Sequence, residues 1–276
     1  MARVRAGEAA NPAPPTVQRI RVRFAKRGRL RFLSHRDVAR SMERAVRRAG
    51  VPVAHSHGFS PHPRLSWVGA APTGSASEAE YLEIGLTRPV DPDELVRALD
   101  AALPDGLDVL DAQVAEGASL ADRIDAGEWR LELPGVSPEV ARAAVDALLA
   151  TDTLEVERVT PSGRRRIDVR AALVRAEVEA GPGAGPDTWA ADHAGDRSSV
   201  TPSRAPGGGR VCAIIGVVVR QTTPAVRPDD VLGALDVVAG LRPPVPAKAT
   251  RMAQGRVDDR GRLADPFGSA RDTSRA

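Results

Sequence analysis

The chain has 276 residues, 42% of them hydrophobic and 27% charged, which is ordinary for a globular protein. Cys212 is the only cysteine, so the sequence excludes an internal disulfide, a Cys-x-x-Cys metal site and a cysteine-ligated iron–sulfur cluster. No apolar run approaches the roughly 20 residues that a membrane-spanning helix needs. We therefore expect a cytoplasmic protein without membrane contact.

The positive charge is concentrated near the start of the chain. Residues 19–64 contain 13 Lys or Arg and two acids, a net charge of +11, whereas the whole chain carries +3 and the remainder therefore −8. Such segregation favours a polyanionic partner, most simply nucleic acid. The alternative is a solvated basic face that the acidic remainder neutralises.

Residues 1–16 show no periodicity and are predicted to be disordered. Strict alternation over residues 19–24 then predicts a half-buried strand, with Ile20, Val22 and Phe24 on one face. Its arginines should form an exposed comb, which a basic turn at residues 26–29 would extend. The strand and turn contribute Arg19, Arg21, Arg23, Lys26, Arg27 and Arg29 to the predicted nucleic-acid-binding residues.

A helix over about residues 34–49 follows. Ser34 with Asp37 three residues later is typical of a capping box, and Gly50 is a typical stop. Arg36 and Arg40 should lie on the outward side and add a second basic surface.

The remaining elements predict an α+β fold of two tandem ferredoxin-like (βαββαβ) units. Strands at residues 64–68, 80–86 and 107–115 and a helix at 91–103 complete the first unit, 17–120. The second, 127–240, has strands at 129–133 and 211–220, helices at 137–150 and 228–238, and a hairpin at 154–160 and 167–179. Its Gly/Pro-rich segment 180–210 is predicted to be a long disordered insertion, and residues 241–276 a mobile tail.

Residues 53–66 concentrate His55, His57 and His62 around a Gly/Pro-broken backbone, with His35 upstream. A three-histidine metal site is geometrically possible, but the segment has no acid, and we expect no metal and no other cofactor. The imidazoles are candidate acid–base catalysts in RNA chemistry or phosphate ligands, whereas the alternative is a rigid structural loop. We expect these histidines and Arg64 to converge on one concave pocket with the start of the first helix, an anion seat. Phe59 is a candidate for stacking on a base.

The runs Leu30–Asp37, Glu43–Gly50, Gly58–Arg64 and Ser77–Leu82 resemble the radical-SAM-associated (radical-SAM-linked) protein family over about residues 17–240. Gly58-Phe-Ser-Pro-His-Pro-Arg64 is the distinctive element. The resemblance implies an accessory role beside a separate radical SAM enzyme, since one cysteine cannot hold that enzyme's cluster. No activity is assigned to the family.

Charge and resemblance together predict an RNA-binding accessory protein that presents rRNA, tRNA or a ribosomal substrate to a radical SAM partner. Two alternatives stay open. One is a stand-alone RNA-processing or RNA-modifying enzyme that uses the histidines, and the other is an adaptor that binds only protein.

Overall fold

The computed structural model describes residues 14–57, 60–160, 163–179 and 211–268. These residues form a mixed α+β fold with mostly antiparallel strand pairs. The chain divides into two compact units, Met1–Thr73 with Ala79–Ala121 and Gly74–Glu78 with Asp122–Ala276.

The first unit follows the element order that the sequence predicts. Its strands are β1 (Gln18–Lys26), β2 (Leu65–Val68), β4 (Val109–Val114) and all but the first three residues of β3 (Ala76–Leu86). Its helices are a 3-10 helix (Gly28–Phe32), α1 (His35–Arg48) and α2 (Pro92–Asp100). The strands lie in the order β4-β1-β3-β2, and β2 pairs antiparallel with β3 from Leu65 opposite Ile84 onward.

One face of this sheet forms the core of the first unit. Alternate side chains of β1 and β3 point to that face because successive residues of a strand face opposite sides. They pack with apolar side chains of α1 and α2 in one cluster. Its largest members include Ile20, Val22, Phe24, Met42, Leu82, Ile84, Leu86, Leu95 and Leu99.

The predicted capping box begins α1. The backbone N–H of Asp37 donates to Ser34 Oγ at 3.3 Å, and the Ser34 hydroxyl donates to Asp37 Oδ2 at 2.6 Å. The second bond lowers the pKa of Asp37 below its usual value, and the charges of Arg40 and Arg36 act in the same direction. Gly50, with φ of 63°, follows the last turn, so both ends of the predicted helix are confirmed.

The second unit contains more elements than the sequence predicts. Its strands are β5 (Ala126–Pro134), β6 (Glu155–Thr160), β7 (Gly163–Asp168), β8 (Leu173–Glu179), β9 (Cys212–Arg220), β10 (Lys248–Val257) and β11 (Leu263–Ala264). Its helices are α3 (Pro138–Leu149), α4 (Val169–Ala172) and α5 (Pro228–Ala239), and a 3-10 helix covers Ala121–Arg123. The sheet order is β10-β5-β9-β8, while β6 and β7 form a separate pair.

The prediction of one strand over residues 167–179 is wrong. Asp168 Oδ1 accepts a hydrogen bond from the N–H of Ala171 at 3.1 Å and so caps the short helix α4. The chain turns there, and β7 pairs with β6 whereas β8 pairs with β9.

The prediction of a mobile tail from residue 241 is wrong for residues 248–264. Strand β10 pairs antiparallel with β5 along its length and in parallel with residues 76–77, which belong to the same unit. The Arg251 guanidinium is buried over the Trp129 ring, 5.4 Å from its centroid, and its Nε donates to Ser77 Oγ at 3.3 Å. The expected disorder of residues 1–13, 180–210 and 269–276 concerns segments outside the described residues.

Candidate nucleic-acid interface

The arginine comb of β1 is mostly covered. Arg21 is 2% exposed, and its guanidinium donates to the carbonyl oxygens of Glu116 and Ala118. Its Nε lies 3.5 Å from Oε2 of Glu83 on β3. Arg21 is therefore a buried structural cation, and the exposed position that the alternation predicts for it is wrong.

Lys26 is likewise unavailable to an external partner. Its side chain is buried, and Nζ donates to the carbonyl oxygens of Ala71 at 3.3 Å and Pro72 at 3.2 Å. The alternating pattern predicts which residues share a face of β1, but it cannot show that segments distant in sequence cover that face. Lys26 is therefore buried where the sequence predicts an exposed basic turn, for the same physical reason as Arg21.

The other two arginines of β1 differ in exposure. Arg23 is half-buried, and its Nε makes no hydrogen bond. The side chain of Arg19 is 55% exposed and lies 3.1 Å from Oε1 of Glu83. Of the three arginines on this face of β1, Arg19 is therefore the one whose side chain is mostly exposed, as the sequence predicts.

The exposed basic surface lies instead on the 3-10 helix and on α1. Buried Val38 and Met42 turn one side of α1 to the core, which leaves its arginines outside. Arg27 is partly neutralised by Asp108 at 2.7 Å, and Arg40 lies 3.9 Å from Asp37. The exposed arginines of this surface are Arg27, Arg29, Arg36, Arg40, Arg44, Arg47 and Arg48.

Phe32 is an exposed aromatic on this surface that the sequence reasoning missed. Its side chain is 59% exposed, and the guanidinium carbon of Arg31 lies 4.8 Å from its ring centroid. Hydropathy alone does not distinguish Phe32 from its apolar neighbours Leu30 and Leu33. The three-residue period of a 3-10 helix explains the exposure of Phe32, because it places Leu30 and Leu33 against the core and Phe32 outside.

His35, the first residue of α1, packs on an aromatic pair. Its exposed imidazole lies edge-on to the Trp67 ring at 5.2 Å between centroids, and Trp67 lies edge-on to Phe24 at 6.1 Å. The ring of Trp67 thus fixes His35 on the helix side of the sheet.

The other three candidate histidines, His55, His57 and His62, lie on a hairpin that precedes β2. His55 forms a bridge opposite Pro63, Ser56 N–H donates to the His62 carbonyl at 2.8 Å, and His62 N–H donates to Ser56 Oγ at 3.0 Å. His55 is half-buried, while His57 and His62 are exposed. Phe59, the predicted stacking residue, lies outside the described residues.

Arg64 ends this hairpin on the other side of the sheet from His35. Leu65 and Trp67 pack toward the core, so Arg64 and Ser66 face away from it. Both line a groove of about 480 Å³ together with Glu83 and Gly85. The structure therefore separates Arg64 from His35, and the predicted common pocket of all four histidines with Arg64 is not formed.

Within the described ranges no group of three or more His, Cys, Asp or Glu side chains is arranged to hold a metal ion. No helix in that part of the chain is long and apolar enough to cross a membrane.

A comparison with curated proteins gives no significant match. A family described as an uncharacterized protein conserved in bacteria (DUF2344) matches residues 19–228, which include the basic surface, the histidine hairpin and most of the second unit. The chain belongs to this uncharacterized bacterial family.

Proposed function

We propose that this chain is an RNA-binding accessory protein, and that the exposed face of the first 3-10 helix and α1 contacts the RNA. The observation that carries the proposal is the combination of exposed arginines with exposed Phe32 on consecutive elements. Guanidinium groups pair with phosphates, and an exposed aromatic ring can stack on an unpaired base. This combination favours single-stranded RNA or a loop over a regular duplex.

The partner half of the proposal rests on the sequence resemblance to radical-SAM-associated proteins. In this view a separate radical SAM enzyme performs the chemistry on rRNA, tRNA or a ribosomal substrate, and this chain holds the substrate. The resemblance lies in segments that form α1, the histidine hairpin and β3, all within the family match.

We also infer that each unit is ferredoxin-like. The order β4-β1-β3-β2 in the first unit and the order β10-β5-β9-β8 in the second both support this inference. In each case the fourth strand lies beside the first, and the first beside the third. The pair β6 and β7 is then an insertion in the second unit.

The alternative of a stand-alone RNA enzyme has less support from the geometry. It would use His35 together with His55, His57 and His62, whereas His35 packs on Trp67 and only the other three of these four candidates lie on the hairpin. We therefore assign the RNA contact to the arginines and to Phe32.

Fluorescence anisotropy with a labelled single-stranded RNA tests the RNA half. The variant Arg29→Ala/Arg36→Ala removes two exposed charges from the proposed surface. Its matched control, Arg88→Ala/Arg97→Ala, removes two exposed charges elsewhere in the first unit. We expect the first variant to bind several-fold more weakly than the control, and equal affinities would reject this surface.

Affinity purification of the full chain from native lysate tests the partner half, with sequencing of bound RNA and mass spectrometry of bound protein. Recovery of both RNA and a radical SAM enzyme is the expected result. Recovery of protein without RNA would favour the adaptor alternative instead.

A further inference from the structure

The groove at the end of β1 has features that the proposed RNA surface does not use. It is lined on one side by Arg19 and on another by Arg64 and Ser66, with Glu83 and Gly85 of β3 between them. Its volume of about 480 Å³ lies in the range typical of small-molecule sites. Because it lies on the sheet face away from the core helices, it is separate from the surface on α1.

The charges around this groove do not cancel. Glu83 is the acid in its lining, and the buried Arg21 guanidinium lies 3.5 Å from that carboxylate. Arg19 also pairs with Glu83, at 3.1 Å, so the charged lining residues Arg19, Arg64 and Glu83 give the groove a net charge of +1. Guanidinium groups bind phosphate through paired hydrogen bonds, which makes phosphate a favoured ligand for such a site.

Gly85 and Thr16 leave space for a ligand next to the backbone of β3. A side chain at residue 85 would place its Cβ 3.2 Å from Thr16 Cγ2 and 3.3 Å from Arg64 Cβ. Because residue 85 is glycine, no side chain fills the groove at this point. The Thr16 hydroxyl is buried on the groove wall and makes no hydrogen bond.

We propose that this groove binds the phosphate monoester of a molecule about the size of a nucleotide. Arg64 and Arg19 hold the phosphate, the Ser66 hydroxyl donates to it, and the organic part occupies the remaining volume over Gly85. The proposal goes beyond RNA binding by α1 and does not depend on it.

Isothermal titration calorimetry of the full chain with AMP tests the proposal, with adenosine as the probe that lacks the phosphate. Arg64→Ala is the informative variant because the side chain is exposed and its removal leaves the Glu83 ion pairs intact. Arg88→Ala, also exposed, is the matched control. We expect saturable AMP binding by the wild type and the control, a dissociation constant at least tenfold higher for Arg64→Ala, and no saturable binding of adenosine.

Three results would overturn the proposal: no saturable binding of AMP, an unchanged dissociation constant in Arg64→Ala, or equal binding of adenosine. The variant Arg29→Ala/Arg36→Ala should bind AMP normally, which separates failure of this site from failure of the RNA surface. Competition with a 5′-phosphorylated tetranucleotide and its 5′-hydroxyl form identifies the source of the phosphate. Displacement by the phosphorylated form alone supports an RNA end, and displacement by neither supports a free nucleotide.

Discussion

Arg21 and Glu83 form an ion pair on the sheet face that the sequence predicts to be open, with Nε of Arg21 3.5 Å from Oε2 of Glu83. Loss of one partner of a buried pair leaves the other charge and its hydrogen-bonding groups poorly compensated. We expect Arg21→Met to lower the free energy of unfolding by about 3 kcal/mol, as measured by urea denaturation. Arg19→Ala removes the exposed partner of the same carboxylate and should cost less than about 1 kcal/mol. Equal effects of the two variants would contradict the structural role of Arg21.

The capping box of α1 predicts a pH response. Because the Ser34 hydroxyl lowers the pKa of Asp37 in the folded state, the ionised carboxylate stabilises the fold above its unfolded pKa of about 4, and this stabilisation is lost as the pH falls through the folded value. Ser34→Ala should raise the pKa of Asp37 toward its ordinary value in an NMR titration of the carboxyl carbon. Ser56→Ala is the control, and an unchanged Asp37 titration in Ser34→Ala would show that the hydroxyl does not lower this pKa.

Strand β10 should be among the protected parts of the second unit. Its residues pair with β5 on one side, and Thr250 and Arg251 also pair with residues 76 and 77. Hydrogen exchange with mass spectrometry should therefore show slow exchange for peptides within 249–256. Exchange as fast as that of an unstructured peptide would support the mobile tail that the sequence predicts.

Phe32 should contribute to RNA affinity without contributing to stability. Its ring is mostly exposed, so Phe32→Ala should change the free energy of unfolding by less than about 0.5 kcal/mol. Loss of one base-stacking contact should weaken binding of single-stranded RNA by roughly 1–3 kcal/mol. Val114→Ala, at an exposed apolar residue outside the proposed surface, is the control. Unchanged affinity in Phe32→Ala would remove the ring from the interface.

Helix α1 and the strands of the first unit were predictable because local signals determine them. The Ser34–Asp37 box and the periodicity of Val38 and Met42 need no information from distant segments. The burial of Arg21 and Lys26 was not predictable, because carbonyl groups far along the chain provide their hydrogen-bond partners. Polar side chains on a strand predict an exposed face only where nothing else packs on it.

Strand β10 was missed for a related reason. Its sequence, from Lys248 to Val257, has no regular apolar alternation, and it buries Arg251 and Gln254. The stacking of Arg251 on Trp129 and its bond to Ser77 involve partners more than a hundred residues away. The groove beside Arg64 depends in the same way on segments that meet only in the fold.

The salt dependence of RNA binding tests the central claim most directly. Fluorescence anisotropy over a range of salt concentrations gives the slope of log K against log salt, and each lost phosphate contact on a single strand should reduce its magnitude by about 0.7. We predict a steep slope for the wild type and a slope shallower by about 1.4 for Arg29→Ala/Arg36→Ala, with no change for Arg88→Ala/Arg97→Ala. No measurable RNA binding, or the same slope for all three proteins, would contradict the claim that this surface binds RNA.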